Sequence, residues 1–283
     1  MQPSSEAAFL TPDWPDAPAN IGFLCTTRRG GVSPAPYGDG EGDGGLNLGT
    51  HVGDTAVFVA TNRAILLNKL PSAPAWLAQV HGAAVVRADR IGRGEVPQAD
   101  ASIATMPGAV CAIQTADCLP VLFTDRAGTV VGAAHAGWRG LAGGVLEATV
   151  AAMREQLSPC PTMGPGPKVG HGPDSNIAGD ILAWLGPAIG PQQFEVGQEV
   201  LDAFVAGAGD DVAAVRAAFV PRPQQPGKYL ADIYALARLV LGRVGVTNVS
   251  GGNRCTVTER DTFYSYRRDK VTGRQATLIW IKE

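Results

Sequence analysis

Short apolar runs alternate with longer amphipathic segments along the chain, which is typical of a protein built from both strands and helices. Short apolar runs bounded by turn-forming residues predict strands. They occur at residues 21–27, 84–88, 110–113, 181–185, 246–249 and 276–281. The last run is apolar without interruption, and it therefore predicts an inner strand that is buried on both faces.

Apolar residues at helical spacing predict helices at residues 54–70, 141–157, 199–206 and 229–244. Asp54 or Thr55 is suited to cap the first helix, and Pro71 ends it. Composition predicts two further strand regions. Residues 76–80 are expected to run as a strand into a turn at His81, and residues 255–258 are expected to pair with residues 262–266.

The middle of the chain predicts a hairpin. Residues 120–123 and 129–134 are strand-like, and a turn sequence at 125–128 joins them. Cys118 stands at one end of this hairpin and His135 at the other, so folding the hairpin brings the two side chains together. Polar groups within apolar runs are costly to bury unless they are paired or metal-bound. The sequence therefore predicts a functional site at this point.

The order of the elements indicates the fold class. Strand runs outnumber helices, and no linker separates two cores. This favours an α/β fold, a single domain over residues 1–283 with mixed sheets and helices on the outside. Two tracts rich in Gly or Pro, near residues 38–45 and 158–180, are predicted to be loop insertions. His171 lies in the second tract and is expected to be a solvated bystander.

Composition limits the partners of the protein. Of its 283 residues, 45% are apolar and 17% are charged, and the net charge is −3, so no broad basic face for nucleic acid or an anionic membrane is expected. The N-terminus lacks the pattern of a signal peptide, and no apolar run is long enough to span a membrane. We predict a cytoplasmic protein that acts on small molecules as a monomer or homodimer.

The histidines and cysteines point to a metal site. Five cysteines without a Cys-x-x-Cys pair indicate neither a disulfide framework nor a zinc ribbon. Of four histidines, His81 and His135 each end an apolar strand beside a glycine. Together with Cys118 they form a three-ligand set that suits zinc and leaves a fourth position open, as in catalytic sites.

Alternative roles stay open for two of the residues near this set. Cys118 is a metal ligand or, alternatively, a nucleophile with His135 as its base. The two roles compete, because a metal-bound thiolate is a poor nucleophile. Asp117 has two possible functional roles, as a general acid/base or as a group that orients a ligand imidazole. The structural alternative is that its carboxylate caps a turn.

Arginines near glycine-rich turns are candidates for anion binding. Arg139 and the start of the helix that follows suit phosphate, and the alternative is a surface arginine lying over Trp138. Arg28 and the pair Arg267-Arg268 are weaker candidates.

Motifs along nearly the whole chain resemble those of the bacterial YfiH family, which is related to the mammalian laccase-domain-containing protein. They include Gln-Val-His-Gly, Thr-Ala-Asp-Cys-Leu-Pro-Val, His-Ala-Gly-Trp-Arg-Gly, Leu-Gly-Pro-Ala-Ile-Gly-Pro and Phe-Tyr-Ser-Tyr-Arg-Arg-Asp. The resemblance implies a layered α/β/β/α domain of the type found in cytotoxic necrotising factor toxins. It also implies a zinc ion held by the residues matching His81, Cys118 and His135.

The resemblance implies a purine nucleoside phosphorylase that acts on adenosine, inosine and methylthioadenosine, with adenosine deaminase activity. Its partners would be a nucleoside and phosphate. In this interpretation Asp117, Arg139 and Cys118 are the catalytic residues. Other members are named polyphenol oxidases or peptidoglycan editing factors. The alternatives are therefore a phenol oxidase with copper in the zinc site, a cysteine hydrolase that edits peptidoglycan precursors, and a metal-stabilised binding module without turnover.

We also predict three substrate-binding residues, each within a motif of the resemblance. They are Arg28, Asn47 and Gln79.

Overall fold

The structure is a computed structural model that describes residues 8–40, 44–158 and 181–283. His171, nearly all of the predicted insertion at 158–180 and the middle of the tract at 38–45 lie outside these residues.

Two sheets form the centre of the fold. The four-stranded sheet has the order β1-β2-β13-β5 and is antiparallel throughout. Its strands are β1 (Phe9–Leu10), β2 (Ile21–Thr26), β13 (Gln275–Ile281) and β5 (Cys111–Thr115). The prediction that the closing strand is an inner one is confirmed, because β13 lies between β2 and β5.

The six-stranded sheet has the order β12-β8-β6-β7-β4-β3 and is mixed, with parallel pairs at its two edges. Its strands are β12 (Asn248–Gly251), β8 (Ile181–Leu185), β6 (Leu119–Asp125), β7 (Val131–Ala136), β4 (Ala101–Ala104) and β3 (Val85–Arg87). Strands β6 and β7 form the predicted hairpin.

The two sheets pack face to face, and helices cover their outer surfaces. Ile113 and Ile279 of one sheet share a buried apolar cluster with Leu122 and Ala133 of the other. Helix α1 (Ala56–Leu67) packs on the outer face of the four-stranded sheet through Leu66. The longer helices on the outer face of the six-stranded sheet are α3 (Val145–Leu157), α4 (Gln198–Ala206) and α6 (Ile233–Arg243). The α/β/β/α layering is thereby confirmed.

Smaller elements lie around this framework. They are helices α2 (Trp138–Ala142), α5 (Val212–Ala217) and α7 (Tyr266–Asp269), and a three-stranded sheet of β10 (Phe219–Pro221), β11 (Lys228–Ala231) and β9 (Glu195–Gly197). No helix in the described ranges combines the length and the apolar character that crossing a membrane requires.

Two predicted helices differ from the observed ones. The helix predicted at 229–244 begins only at Ile233, because residues 228–231 pair in a sheet and the carboxylate of Asp232 caps the helix. The helix predicted at 141–157 is divided into α2 and α3 at Gly143 and Gly144. Gly144 has a φ of 91°, a left-handed conformation that glycine adopts without strain.

Two predicted strand regions are wrong. Residues 76–80 form no strand and make one isolated bridge, at Ala78; another bridge, at Ala75, directly precedes the segment. Residues 256–258 and 260–262 form turns instead of paired strands. The Glu259 carboxylate accepts a hydrogen bond from Cys255 N, and the Glu259 carbonyl accepts one from Thr262 N. Strand β4 was not predicted.

Candidate metal centre

The β6–β7 hairpin positions two of the three predicted ligands. Pro120 of β6 lies opposite His135 of β7 in the strand register. Cys118 immediately precedes β6, so its side chain and the His135 imidazole meet at the same end of the hairpin. His135 is 3% exposed, and Cys118 is half-buried. The sequence prediction that the hairpin brings these residues together is confirmed.

A tight turn brings the third predicted ligand to the same place. His81 has a φ of 62°, which is unusual for a residue other than glycine. The buried Asp100 carboxylate holds this turn by accepting hydrogen bonds from Val80 N (3.1 Å), His81 N (2.9 Å) and Gly82 N (2.7 Å). Three bonds to one carboxylate offset the conformational cost of the turn.

The ligand atoms of His81, Cys118 and His135 lie within 4.8 Å of one another, and we call these residues the His-Cys-His cluster. Cys118 Sγ is 3.7 Å from His81 Nε2. Tetrahedral coordination at ordinary Zn–N and Zn–S distances places ligand atoms about 3.3–3.8 Å apart. The distance between Cys118 and His81 lies in this range, and two imidazoles with one thiol are a donor set that suits a metal ion. The cluster is the only group of three or more potential ligands found in the described ranges.

Gly137 makes room for this arrangement. A Cβ atom at this position would lie 2.8 Å from His81 Cδ2 and 3.0 Å from Cys118 Sγ. The backbone must therefore pass close to both ligands, which only glycine permits.

Asp100 also orients a ligand directly. Its Oδ1 lies 2.8 Å from His135 Nδ1, which leaves Nε2 of the imidazole available to a metal. Analysis of the sequence missed Asp100. The signal that was present is an acidic residue directly before the apolar run that forms β4.

The charges of the cluster favour a thiolate. Burial by itself would raise the pKa of Cys118, but the His135 charge and hydrogen bonds from both imidazoles outweigh it and lower the pKa to about 6. Burial would lower the pKa of His135, and the Cys118 and Asp100 charges and hydrogen bonds instead raise it to about 9. A deprotonated sulfur is the form that binds metals.

Two cavities meet at the His-Cys-His cluster. The larger cavity has a volume of about 630 Å³, and all three cluster residues line it. The smaller cavity, of about 310 Å³, shares His81, Ala116, Cys118 and Tyr266 with the larger one. An ion in the cluster would thus be open to bound molecules, as expected of a catalytic site.

Asp117 lies in the smaller cavity, and its carboxylate has protein partners. Its Oδ1 accepts a hydrogen bond from Thr256 Oγ1 (2.6 Å), and its Oδ2 accepts one from Arg267 N (2.6 Å). Its φ of 94° turns the chain just before Cys118. These contacts match the turn-capping alternative, and the acid/base role stays a prediction.

Arg139 also lines the smaller cavity, where it is exposed and stacks on a neighbouring ring. Its guanidinium carbon lies 4.4 Å from the centroid of the Trp138 ring, as in the alternative considered from sequence. The helix that begins beside it, α2, has only five residues. The phosphate role of Arg139 stays a prediction.

The three predicted substrate-binding residues have different surroundings. Arg28 is buried and donates to the carbonyls of Gly38 and Arg260, and Asn47 is buried beside Asp54. Neither lines the two cavities described above. Gln79 lines the larger cavity, and its side-chain amide exchanges two 2.9 Å hydrogen bonds with the backbone of Gln114. The cavity wall also holds residues that sequence analysis did not single out, Arg63, Trp76 and Arg274.

Comparison with known proteins places this architecture in a family. Residues 22–282 match a family model described as multi-copper polyphenol oxidoreductase laccase. A purine nucleoside phosphorylase of Pseudomonas aeruginosa is 51% identical over 98% of this chain and 99% of its own length. The purine nucleoside phosphorylase YfiH of Escherichia coli is 49% identical over 96% of this chain and 98% of its own length.

Solved structures show the same architecture. A crystal structure of a Neisseria meningitidis protein matches with a TM-score of 0.81 and 50% identity, over 98% of this chain and 100% of that one. YlmD from Geobacillus stearothermophilus matches with a TM-score of 0.75 and 30% identity, over 98% of this chain and 99% of that one. The fold, the His-Cys-His cluster and these relatives agree, and the chain belongs to the YfiH family of laccase-like proteins.

Proposed function

We propose that this protein is a zinc-dependent purine nucleoside phosphorylase that acts on adenosine, inosine and methylthioadenosine and also deaminates adenosine. The observation that carries the proposal is the opening of the His-Cys-His cluster onto a cavity of about 630 Å³. That volume is in the usual range for sites of small molecules. The relatives named purine nucleoside phosphorylase support the reaction class.

His81, Cys118 and His135 would hold the zinc ion. When bound, it would supply Lewis-acid chemistry and lower the pKa of a water, which deamination of a purine requires. Asp100 fixes the His135 ring through Nδ1. Two imidazoles, which would be deprotonated on the ligand nitrogen when a metal binds, and a single thiolate match the ligand preferences of zinc.

The other residues of the larger cavity suit a nucleoside. The rings of Trp76 and Tyr266 lie in its wall, and aromatic side chains suit a purine base. The backbone contacts of Gln79 hold its amide beside the same space. Asp117 is the proposed acid/base group for deamination, acting from the smaller cavity.

Product analysis of the purified, metal-quantified protein tests this proposal. With adenosine and inorganic phosphate we expect adenine and ribose 1-phosphate, and without phosphate we expect inosine. Cys118→Ser should lose both activities together with the metal. Cys255→Ser removes a thiol that lines neither cavity at the cluster and accepts a hydrogen bond from Gly190 N, and this variant should keep both activities.

The proposal is wrong if metal-loaded protein yields neither adenine nor inosine. In that case a melting temperature that falls on chelation would identify the cluster as the centre of a binding module.

One geometric observation favours a second candidate, a cysteine hydrolase acting on peptidoglycan precursors. Cys118, His135 and Asp100 follow one another as nucleophile, base and orienting carboxylate, with 2.8 Å between the last two. Hydrolysis of such a precursor by metal-free protein, abolished by alkylation of Cys118, would support this candidate. Hydrolysis that vanishes on chelation would reject it.

Phenol oxidation is a third candidate because the matching family model describes laccases. Copper binds nitrogen and sulfur donors more tightly than zinc does, so it would enter the same cluster. We expect oxidase activity to follow the copper content. Oxidase activity in zinc-loaded, copper-free protein would contradict this view.

A further inference from the structure

We infer that Arg63, Arg274 and His51 form an oxyanion subsite for inorganic phosphate in the wall of the larger cavity. The inference rests on the proposed phosphorylase function and locates its second substrate. It differs from the sequence prediction, which assigned the phosphate to Arg139.

The three basic side chains gather around one segment of backbone. Arg63 extends from α1 and donates from Nε to the carbonyl of Leu48 at 3.0 Å. Arg274 donates from its backbone N–H to Asn47 Oδ1 at 2.9 Å. The side chain of Arg274 also lies against Gly49, where an added Cβ would be 2.8 Å from its Cγ. His51 follows two residues later, and all three basic residues line the cavity.

No carboxylate in the described ranges forms an ion pair with either arginine. The ion pairs in the described ranges involve neither Arg63 nor Arg274, and the wall of the larger cavity contains no Asp or Glu. Burial lowers the pKa of both guanidinium groups, although the charges of Cys118, Asp117 and Tyr266 act in the opposite direction on Arg274. Burial together with the two arginines lowers the pKa of His51. Arginine nevertheless stays protonated in proteins. A bound anion would give these two guanidinium groups the direct ion pair that they lack within the described protein.

Both arginines retain donors for a ligand and are held in place. In the described part of the chain, Arg63 uses only Nε for hydrogen bonding, and its guanidinium stacks 4.4 Å from the Trp76 ring centroid. Arg274 uses Nη1 on the carbonyls of Thr272 and Gly273. The remaining N–H groups form two planar donor sets, which is the geometry that phosphate oxygens accept.

The smaller cavity offers a poorer site for an anion. It contains Arg139 and Arg267, but the Asp117 carboxylate lies in the same wall. Arg267 uses Nη1 on the carbonyls of Gln193 and Glu195. The larger cavity has about twice the volume, and it is lined both by the cationic wall, which is formed by Arg63 and Arg274, and by the His-Cys-His cluster.

The reaction explains why phosphate belongs in the same space as the nucleoside. An oxygen of hydrogen phosphate forms a bond to ribose C1′ while the bond from C1′ to purine N9 breaks. The electron pair of the broken bond goes to N9, which takes the proton of the hydrogen phosphate. Arg63 and Arg274 would hold the nucleophile, and the proximity of the two substrates would lower the barrier.

Kinetics of Arg274→Gln and Arg63→Gln in the metal-loaded protein test the subsite. We expect the KM for phosphate to rise at least tenfold in each, with less than threefold change in the KM for inosine. Adenosine deamination needs no phosphate and should be retained. Arg274→Lys keeps the charge and should recover part of the phosphate affinity. The matched control is Arg238→Gln, an arginine bound to the carbonyls of Val249 and Gly251.

Calorimetric titration of the metal-loaded protein with inorganic phosphate tests binding apart from turnover. Binding should weaken at least tenfold in the Arg274 and Arg63 variants. The inference is overturned if both variants bind phosphate normally, if only Arg139→Gln raises its KM, or if adenosine 5′-monophosphate binds there more tightly than phosphate. An inactive wild-type protein that still binds phosphate through Arg274 would refute the phosphorylase function and leave the anion subsite standing.

Discussion

A buried aspartate that accepts several hydrogen bonds lies at each end of the β6–β7 hairpin, and the two aspartates have different roles. At the turn end, the Asp125 carboxylate accepts hydrogen bonds from Thr129 N (2.6 Å), Thr129 Oγ1 (2.9 Å) and Val130 N (2.9 Å). At the cluster end, the Asp100 carboxylate accepts from three successive backbone N–H groups and bonds the His135 imidazole. Each carboxylate is almost fully buried.

The difference lies in what the carboxylate holds. Asp125 closes a turn, so its hydrogen bonds act only on stability. Asp100 holds a strained turn and an imidazole that also hydrogen-bonds Cys118, so its hydrogen bonds position two of the candidate metal ligands as well. A buried aspartate is therefore structural or functional according to its partners, and variants at both ends can separate the two cases.

The largest effect is expected for Cys118→Ser at the cluster end. Loss of the thiolate should lower zinc affinity by more than about 100-fold, because changes outside the ligand shell alone cost about 10–100-fold. Competition with a chromophoric chelator measures the affinity, and metal analysis after dialysis gives the stoichiometry. Unchanged affinity would exclude Cys118 as a ligand.

Asp100→Asn should follow, with zinc affinity reduced by about 10–100-fold. An amide N–H in place of a carboxylate oxygen would face the backbone N–H groups of residues 80–82, so hydrogen bonds there would be lost. The hydrogen bond to His135 Nδ1 would also weaken. The same competition assay applies, with circular dichroism to verify folding. Equal zinc affinity in Asp100→Asn and Asp125→Asn would remove the distinction between the two ends.

Gly137→Ala tests the space around the ligands. The new methyl group would crowd His81 Cδ2 and Cys118 Sγ, and we expect zinc affinity to fall several-fold, since the ligands must shift by a few tenths of an ångström. Gly207→Ala is the matched control, because no atom lies within 4 Å of its added Cβ. If both variants bind zinc like the wild type, the approach of Gly137 does not constrain the ligands.

Asp125→Asn should have the smallest effect on the metal. We expect a loss of about 1–3 kcal/mol in the free energy of unfolding, because buried donors lose a charged acceptor. Zinc affinity should be unchanged. Denaturant unfolding of the metal-free protein measures the first quantity, and chelator competition measures the second. A loss of zinc affinity here would show that the two ends are coupled through the hairpin.

Sequence patterns predicted the parts of the molecule that depend on local order. The hairpin followed from two apolar runs and a turn, and it correctly brought Cys118 beside His135. The inner strand β13 followed from its unbroken apolar composition. His81 was assigned to the cluster although its preceding segment is not a strand, since strand character was not needed to place it.

Patterns failed where long-range contacts decide the role of a residue. Asp100 acts through partners 18–35 positions away in the chain, which composition does not reveal. Arg28 and Asn47 line neither of the two cavities at the cluster, and their substrate-binding role stays a prediction. Arg63 and Arg274 are far apart in the chain, and only the folded structure brings them into the wall of one cavity.

The left-handed backbone at His81 means that the best residue for thermal stability differs from the best residue for metal binding. Glycine would adopt the φ of 62° with less strain and donate the same N–H to Asp100, at a gain on the order of 1 kcal/mol. A library at position 81 sorted only for thermal survival, without metal, should therefore enrich glycine and discard the ligand. Histidine at this position therefore lowers the thermal stability of the protein, and the proposed metal site requires it.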